Sequence, residues 1–243
     1  MIRKIEMERF SLTTSKPFDE VVAGVNAAIG HPDMAEFARS THEARSFAEL
    51  KSAVERGLSK AGLMLLCSSR TVRLCLKRFE MIKKIEIERF SLTTSKQLDE
   101  VITGVNAAIG HPDMAKFGRS THEARSFAEL KSTVEKGLSA VGLMLFMQLD
   151  HGAILRKETG RETPKMIRFV IGNPLIMKEM VKHVPDAGSY APVTVLVDER
   201  SDAVHLSYDR MASFLGPYEN RDALEVARNL DKKIEDLLRQ AAA

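Results

Sequence analysis

The residue types best suited to chemistry lie in the second half of the chain. Asp150-His151 closes an apolar run, Leu143–Leu149. An imidazole titrates near neutral pH and a neighbouring carboxylate can tune it, so the two residues read as a candidate catalytic acid/base or ligand-anchoring pair. The plainer reading is an aspartate that caps the next helix and a histidine packed against the strand. Gly172-Asn173-Pro174 closes a second apolar run, Met166–Ile171. Asn173 suits an N-cap and Pro174 a first helical position. The free amides of a helix start attract small carboxylates and phosphates, although Pro174 removes one of them. Gly172 and Asn173 are therefore candidate ligand-binding residues, expected near Asp150 and His151. The plainer reading there is an ordinary strand-to-helix turn. Tyr208 is a further ligand-binding candidate, being one of only three tyrosines. His205 sits three positions earlier on the same expected strand and so points to the opposite face.

Other chemical signatures are missing from the sequence. Gly172-Asn173-Pro174 lacks the glycine spacing of a dinucleotide or phosphate loop. His122-Glu123 is not followed by a histidine at 126, where Ser126 stands, and no other metal-ligand spacing occurs. There is no Gly-x-Ser-x-Gly elbow. Cys67 and Cys75, eight apart, form neither a disulfide framework nor a zinc site; reduced thiols fit a cytoplasmic setting. No metal and no cofactor is expected.

The elements that must position these residues follow from periodicity. Lys84–Phe90 alternates as a strand. Ser95 is placed to cap a helix through Ile109, with Leu98, Val101, Ile102, Val105 and Ile109 on one face. Met114–Arg119 suggests a helical turn. Ser126-Phe127-Ala128-Glu129 is a capping box opening a helix whose stripe is Phe127, Leu130, Val134, Leu138 and Val141, stopped by Gly142. Strands are expected at Leu143–Leu149, Met166–Ile171, Val193–Val197 and Val204–Tyr208. Helices are expected from Asp150 to near Gly160, from Pro174 to Pro185 and over Asp222–Leu238. The expected fold class is α+β, a small mixed sheet flanked by helices.

The start of this pattern occurs twice. Residues 1–66 align without a gap with residues 81–146 and differ at thirteen positions, leaving 53 identities. Two units are too few for a solenoid, and the second runs on into unrepeated sequence. The expected organisation is a partial duplicate at 1–66, a basic junction at 67–80 and a complete domain at 81–243, each copy opening strand-helix-helix-strand. The first copy carries an apolar stripe, Phe18, Val21, Val22, Val25 and Ile29, that needs a covering surface. Three coverings fit: the complete domain, a second chain in a homodimer, or the C-terminal half in competition with residues 81–146. The expectation is that the second copy holds the native place and the first docks as an appendage.

Charge and composition exclude other classes. The chain has 243 residues, 44% hydrophobic and 28% charged, an ordinary globular balance. No apolar run approaches the roughly 20 residues that span a bilayer. The net charge of +3 resides in residues 67–80, which hold Arg70, Arg73, Lys77 and Arg78 against Glu80. The remainder is balanced, so neither a nucleic-acid partner nor a membrane is expected.

Four segments in order carry a resemblance: the strand ending in Asp150-His151, the strand ending in Gly172-Asn173-Pro174, the Pro192-led strand, and the strand ending in Tyr208. Over about residues 85–240 the chain resembles the domain of unknown function 302 family. The resemblance implies a compact α+β domain, found mostly in bacteria and archaea, with no established activity. The functional expectation is a small-ligand-binding or interaction module. The alternative is an enzyme using Asp150 and His151 on a small anionic substrate.

Overall fold

The structure is a computed structural model that describes residues 2–13, 19, 79–162 and 164–243. The helices expected in the first copy, and the junction up to residue 78, lie outside the described residues. The chain forms two compact units: one comprises Met1–Glu8, Lys84–Ala153 and Glu162–Ala243, the other Arg9–Lys83 and Ile154–Arg161. The sheet core, the helices covering it and the candidate residues belong to the first.

Among the described residues there are six strands and seven α-helices. In chain order they are β1 Ile2–Thr13, β2 Phe79–Thr94, α1 Leu98–Ala108, α2 Met114–Glu123, α3 Phe127–Gly137, β3 Met144–Asp150 and α4 Gly152–Thr159. There follow β4 Met166–Gly172, α5 Pro174–Val181, β5 Val193–Glu199, β6 Val204–Asp209, α6 Met211–Leu215 and α7 Arg221–Ala242. The strands form one sheet in the order β1-β2-β6-β5-β4-β3. The fold is α+β. The pairs β2–β6, β6–β5, β5–β4 and β4–β3 are all antiparallel. The sheet is thus antiparallel in these pairings rather than mixed as expected, because consecutive strands fold back on one another; a parallel bridge, Gly110 to Met144, lies outside these ladders.

Alternation along the strands explains the layers. Ile167, Phe169 and Ile171 of β4, Val193, Val195 and Val197 of β5, and Val204, Leu206 and Tyr208 of β6 are all buried. With a side-chain period of two, they share one face, and Arg168, Thr194, Leu196, Ser207 and Asp209 occupy the other. The apolar face meets α1 through Leu98, Val101 and Val105, and α7 through Ala227, Leu230, Ile234 and Leu238. Each of the buried Leu, Val and Ile side chains among these is worth roughly 1.5–3 kcal/mol relative to exposure.

Local chemistry sets the element ends, in places differently from the sequence expectation. Helix α1 begins at Leu98 rather than after Ser95, because Glu100 accepts a hydrogen bond from the Gln97 N–H and fixes the start there. The turn expected at Met114–Arg119 runs on to Glu123, capped by Asp113 on Lys116 N. Ser126 caps α3 through Glu129 N, but Glu129 reaches back to Arg125 N. That helix ends at Gly137, short of Leu138 and Val141. Gly137 closely approaches Gly110: a Cβ on Gly110 would lie 2.0 Å from the Gly137 carbonyl oxygen. Gly142, with φ +76, forms the later turn into β3 instead of ending the helix. Phe127 is exposed rather than buried, with the Lys178 ammonium 5.0 Å from its ring centre.

Candidate functional site

The candidate residues divide between the two ends of β3 and β4. In the antiparallel register Asp150 faces Ile167, while Met144 faces Gly172. Five residues along β4 therefore separate the two places, about 17 Å. Asp150 and His151 do not share a site with Gly172 and Asn173, contrary to the sequence expectation. The C-terminal ends of two antiparallel neighbours lie at opposite ends of the sheet.

At the first end, the Asp150 Oδ1 accepts a hydrogen bond from Ala153 N at 2.9 Å and so caps α4. His151 is exposed and has no hydrogen-bond or ion-pair partner among the described residues. It lines a depression of about 270 Å³ on the open sheet face, together with Arg89, Arg168, Thr194, Ser207 and Asp209. The strand register sets this lining. Arg168 lies beside Leu196, Leu196 beside Ser207, Ser207 beside Ser91, and Arg89 beside Asp209.

The charges there differ in their commitments. Arg89 donates to both oxygens of Asp209, at 2.6 and 2.8 Å. That pairing holds the guanidinium in its charged form more firmly than usual. Arg168 is exposed and makes no hydrogen bond or ion pair among the described residues. Arg89 and Asp209 offset each other, so the lining retains one positive charge at Arg168.

At the second end, Asn173 is fully used as a turn residue. Its Oδ1 accepts from Leu175 N at 2.8 Å and its Nδ2 donates to the Gly142 carbonyl at 2.9 Å. Gly172 and Asn173 border a cavity of about 120 Å³ whose other walls include Phe146, Ile176, Met180 and Leu230. The walls are apolar, so this is not a cradle for an anion.

Tyr208 borders the same depression as His151, but its side chain is packed in the core. Its side chain is 1% exposed and its hydroxyl donates to Asp231 Oδ1 at 2.6 Å. Asp231, fully buried on α7, also accepts from Met211 N at 2.7 Å and Ala212 N at 3.1 Å. Burial raises the Asp231 carboxyl above its ordinary value, against the opposing pull of these donors and of Arg210. Burial, then the Asp231 charge, pushes the Tyr208 hydroxyl well up, so it is a donor throughout the accessible range. Arg210 continues the network to Glu88 at 2.5 Å and Glu235 at 3.0 Å. His205, on the opposite face as expected, pairs with Asp202 at 3.0 Å.

Arg89, Arg168 and Asp231 were not singled out from the sequence. Arg168 was legible: it interrupts Ile167, Phe169 and Ile171, so a strand must turn it away from the core. Asp231 was legible too, as an acid among Ala227, Leu230 and Ile234 on the buried helix stripe.

The domain of unknown function DUF302 matches residues 117–241 of the chain. Among solved structures, the crystal structure of an uncharacterized conserved protein DUF302 from Bacillus stearothermophilus matches with a TM-score of 0.45 and 13% identity. The match covers 63% of this chain and 97% of that one. No curated protein matches.

Proposed function

This chain belongs to the DUF302 family, a domain of unknown function, and from that premise we propose that it is a binding module for a small anion held on the open face of its sheet. One observation carries the reading. Arg168 lines a concave surface without a counter-ion among the described residues, whereas Arg89, Arg200 and Arg210 each have a carboxylate. Thr194 and Ser207 add hydroxyls, and His151 adds a ring nitrogen able to donate. A small carboxylate or phosphate is the ligand class that uses all of these. A planar guanidinium holds either one bidentately. No catalytic step is part of the proposal. A cytoplasmic setting is, on the strength of the two unpaired-looking thiols in the sequence. Among the described residues no helix is long and apolar enough to cross a membrane.

The test is calorimetric titration of inorganic phosphate and of a small dicarboxylate into the full chain, its Arg168→Ala variant and its Asn173→Ala variant. Arg168→Ala is expected to weaken binding about ten- to a hundredfold, the range of one lost charge-assisted hydrogen-bond set. Its stability should stay within about 0.5 kcal/mol, since the side chain is exposed. Equal affinity in wild type and Arg168→Ala, or no binding of either anion, refutes the reading.

A further inference from the structure

The outermost strand of the sheet is a near-copy of the strand it covers. Residues 2–13 and 82–93 differ only at Arg3/Lys83 and Met7/Ile87. The structure seats the first on the second: β1 neighbours β2 alone, at the end of the sheet order. β2 uses Arg89–Thr94 to pair with β6. Its other edge takes β1. There Lys4 Nζ lies 2.7 Å from Glu86 Oε1, and Lys4, Ile5 and Glu6 line one depression with Ile85 and Glu86. Lys4 corresponds to Lys84 in the second copy.

We propose that β1 fills, within one chain, a seat on the β2 edge that also accepts β2 of a second copy of this protein. The occupant is residues 82–93, because a strand of nearly that sequence already pairs there. The charges agree with a two-fold arrangement. Two antiparallel β2 strands would set Lys84 of each copy against Glu86 of the other, repeating the Lys4–Glu86 contact twice across an isologous interface. Both side chains of that contact are exposed, at 66% and 62%, so the ion pair fixes register more than it adds stability. The energy of the seat is the backbone ladder of an otherwise open edge. By filling it in cis, β1 keeps β2 of a second copy off this edge. It holds the seat against a second copy because its tether gives it a high effective concentration.

Opening the seat in the full chain tests this. Successive N–H groups of a strand point to opposite edges, so Ile5→Pro/Glu6→Pro removes one donor directed at β2 whichever residue supplies it. A fluorescein-labelled peptide of residues 82–93 is titrated into wild type and variant, with a scrambled peptide as control. Sedimentation equilibrium follows the association state. The expected result is a monomeric wild type, a concentration-dependent dimer of the variant, and peptide binding about tenfold or more tighter to the variant. A folded variant that stays monomeric and ignores the peptide overturns the proposal. So does equal peptide binding to both proteins, or equal binding of the scrambled peptide. Should the double proline variant lose its circular dichroism signal, the single variants Ile5→Pro and Glu6→Pro provide the same reading, since one of the two removes a donor directed at β2. Tighter peptide binding to one of them than to wild type supports the seat, and unchanged binding to both refutes it.

Discussion

Replacing Tyr208 by Phe isolates the worth of the buried polar network. The ring stays in the core, and only the hydroxyl that donates to Asp231 at 2.6 Å is removed. Met211 N loses its contact with that oxygen at 3.2 Å but keeps the Asp231 acceptor at 2.7 Å. The loss is therefore one hydrogen bond to a fully buried carboxylate. Such bonds contribute about 1.5–3 kcal/mol, so about 2 kcal/mol is expected at neutral pH. At roughly 2–4 °C per kcal/mol for a chain of this size, the melting temperature should fall by about 4–8 °C.

The pH dependence sharpens the prediction. The folded Asp231 carboxyl is raised, chiefly by burial. Its protonation thus contributes stability that is fully present below the ordinary aspartate value, about 3.9, and is lost as pH rises through the folded value. The Tyr208 hydroxyl opposes that rise by favouring the charged form. Phe at 208 removes the opposition, so the folded value climbs further and the variant loses stability more steeply toward neutral pH. Its deficit relative to wild type should be about 1 kcal/mol where Asp231 is protonated and about 2 kcal/mol at pH 7. Urea unfolding followed by circular dichroism across the acid-to-neutral range measures both, with an unchanged m-value marking an effect on the folded state. A variant as stable as wild type, or a deficit that shrinks toward neutral pH, would refute this account of the network.

Two further substitutions probe the positions where backbone and side chain meet closely. Gly110→Ala drives a Cβ to 2.0 Å from the Gly137 carbonyl, and neither backbone can yield cheaply. A loss of about 3 kcal/mol in urea unfolding is expected, and a loss below about 1 kcal/mol would contradict the close approach. Asn173→Ala removes the α5 cap and the donor to Gly142, for a loss of about 1–2 kcal/mol. Its phosphate affinity should match wild type in the same calorimeter that registers the Arg168→Ala defect; weakened binding would return the anion to the Gly172 turn.

The layers of the fold were legible because burial imposes a period. Ile167-Arg168-Phe169-Val170-Ile171 declares a strand with one covered face, and Leu230, Ile234 and Leu237 declare the helix that covers it. What periodicity does not carry is strand order. Asp150-His151 and Gly172-Asn173 both follow apolar runs, and nothing local distinguishes parallel strands, which would gather them, from antiparallel strands, which separate them. The short helix Met211–Leu215 escaped notice because its N-terminal donors are satisfied by Asp231, twenty residues away. Tyr208 stood out by rarity, but rarity marks a residue without saying which face of a strand it occupies.

The duplication poses the same question of order in a stricter form, since the two copies of the strand offer almost the same side chains. Arg89 pairs with Asp209, and Phe90 and Leu92 face Tyr208 and Leu206. The first copy has Arg9, Phe10 and Leu12 at the corresponding positions. Side-chain preference therefore cannot decide which copy lies on β6. Chain connection can: β2 leads within fifty residues into β3 through helices that cover the same sheet. Residues 2–13 connect to it only through residues 14–78. A shorter effective tether favours the second copy for the central place. The first copy is then left with an edge whose sequence is nearly its own. A sheet edge accepts a strand of compatible register, so a duplicated strand has a seat ready-made beside its original, and filling it takes the β2 edge from a second molecule.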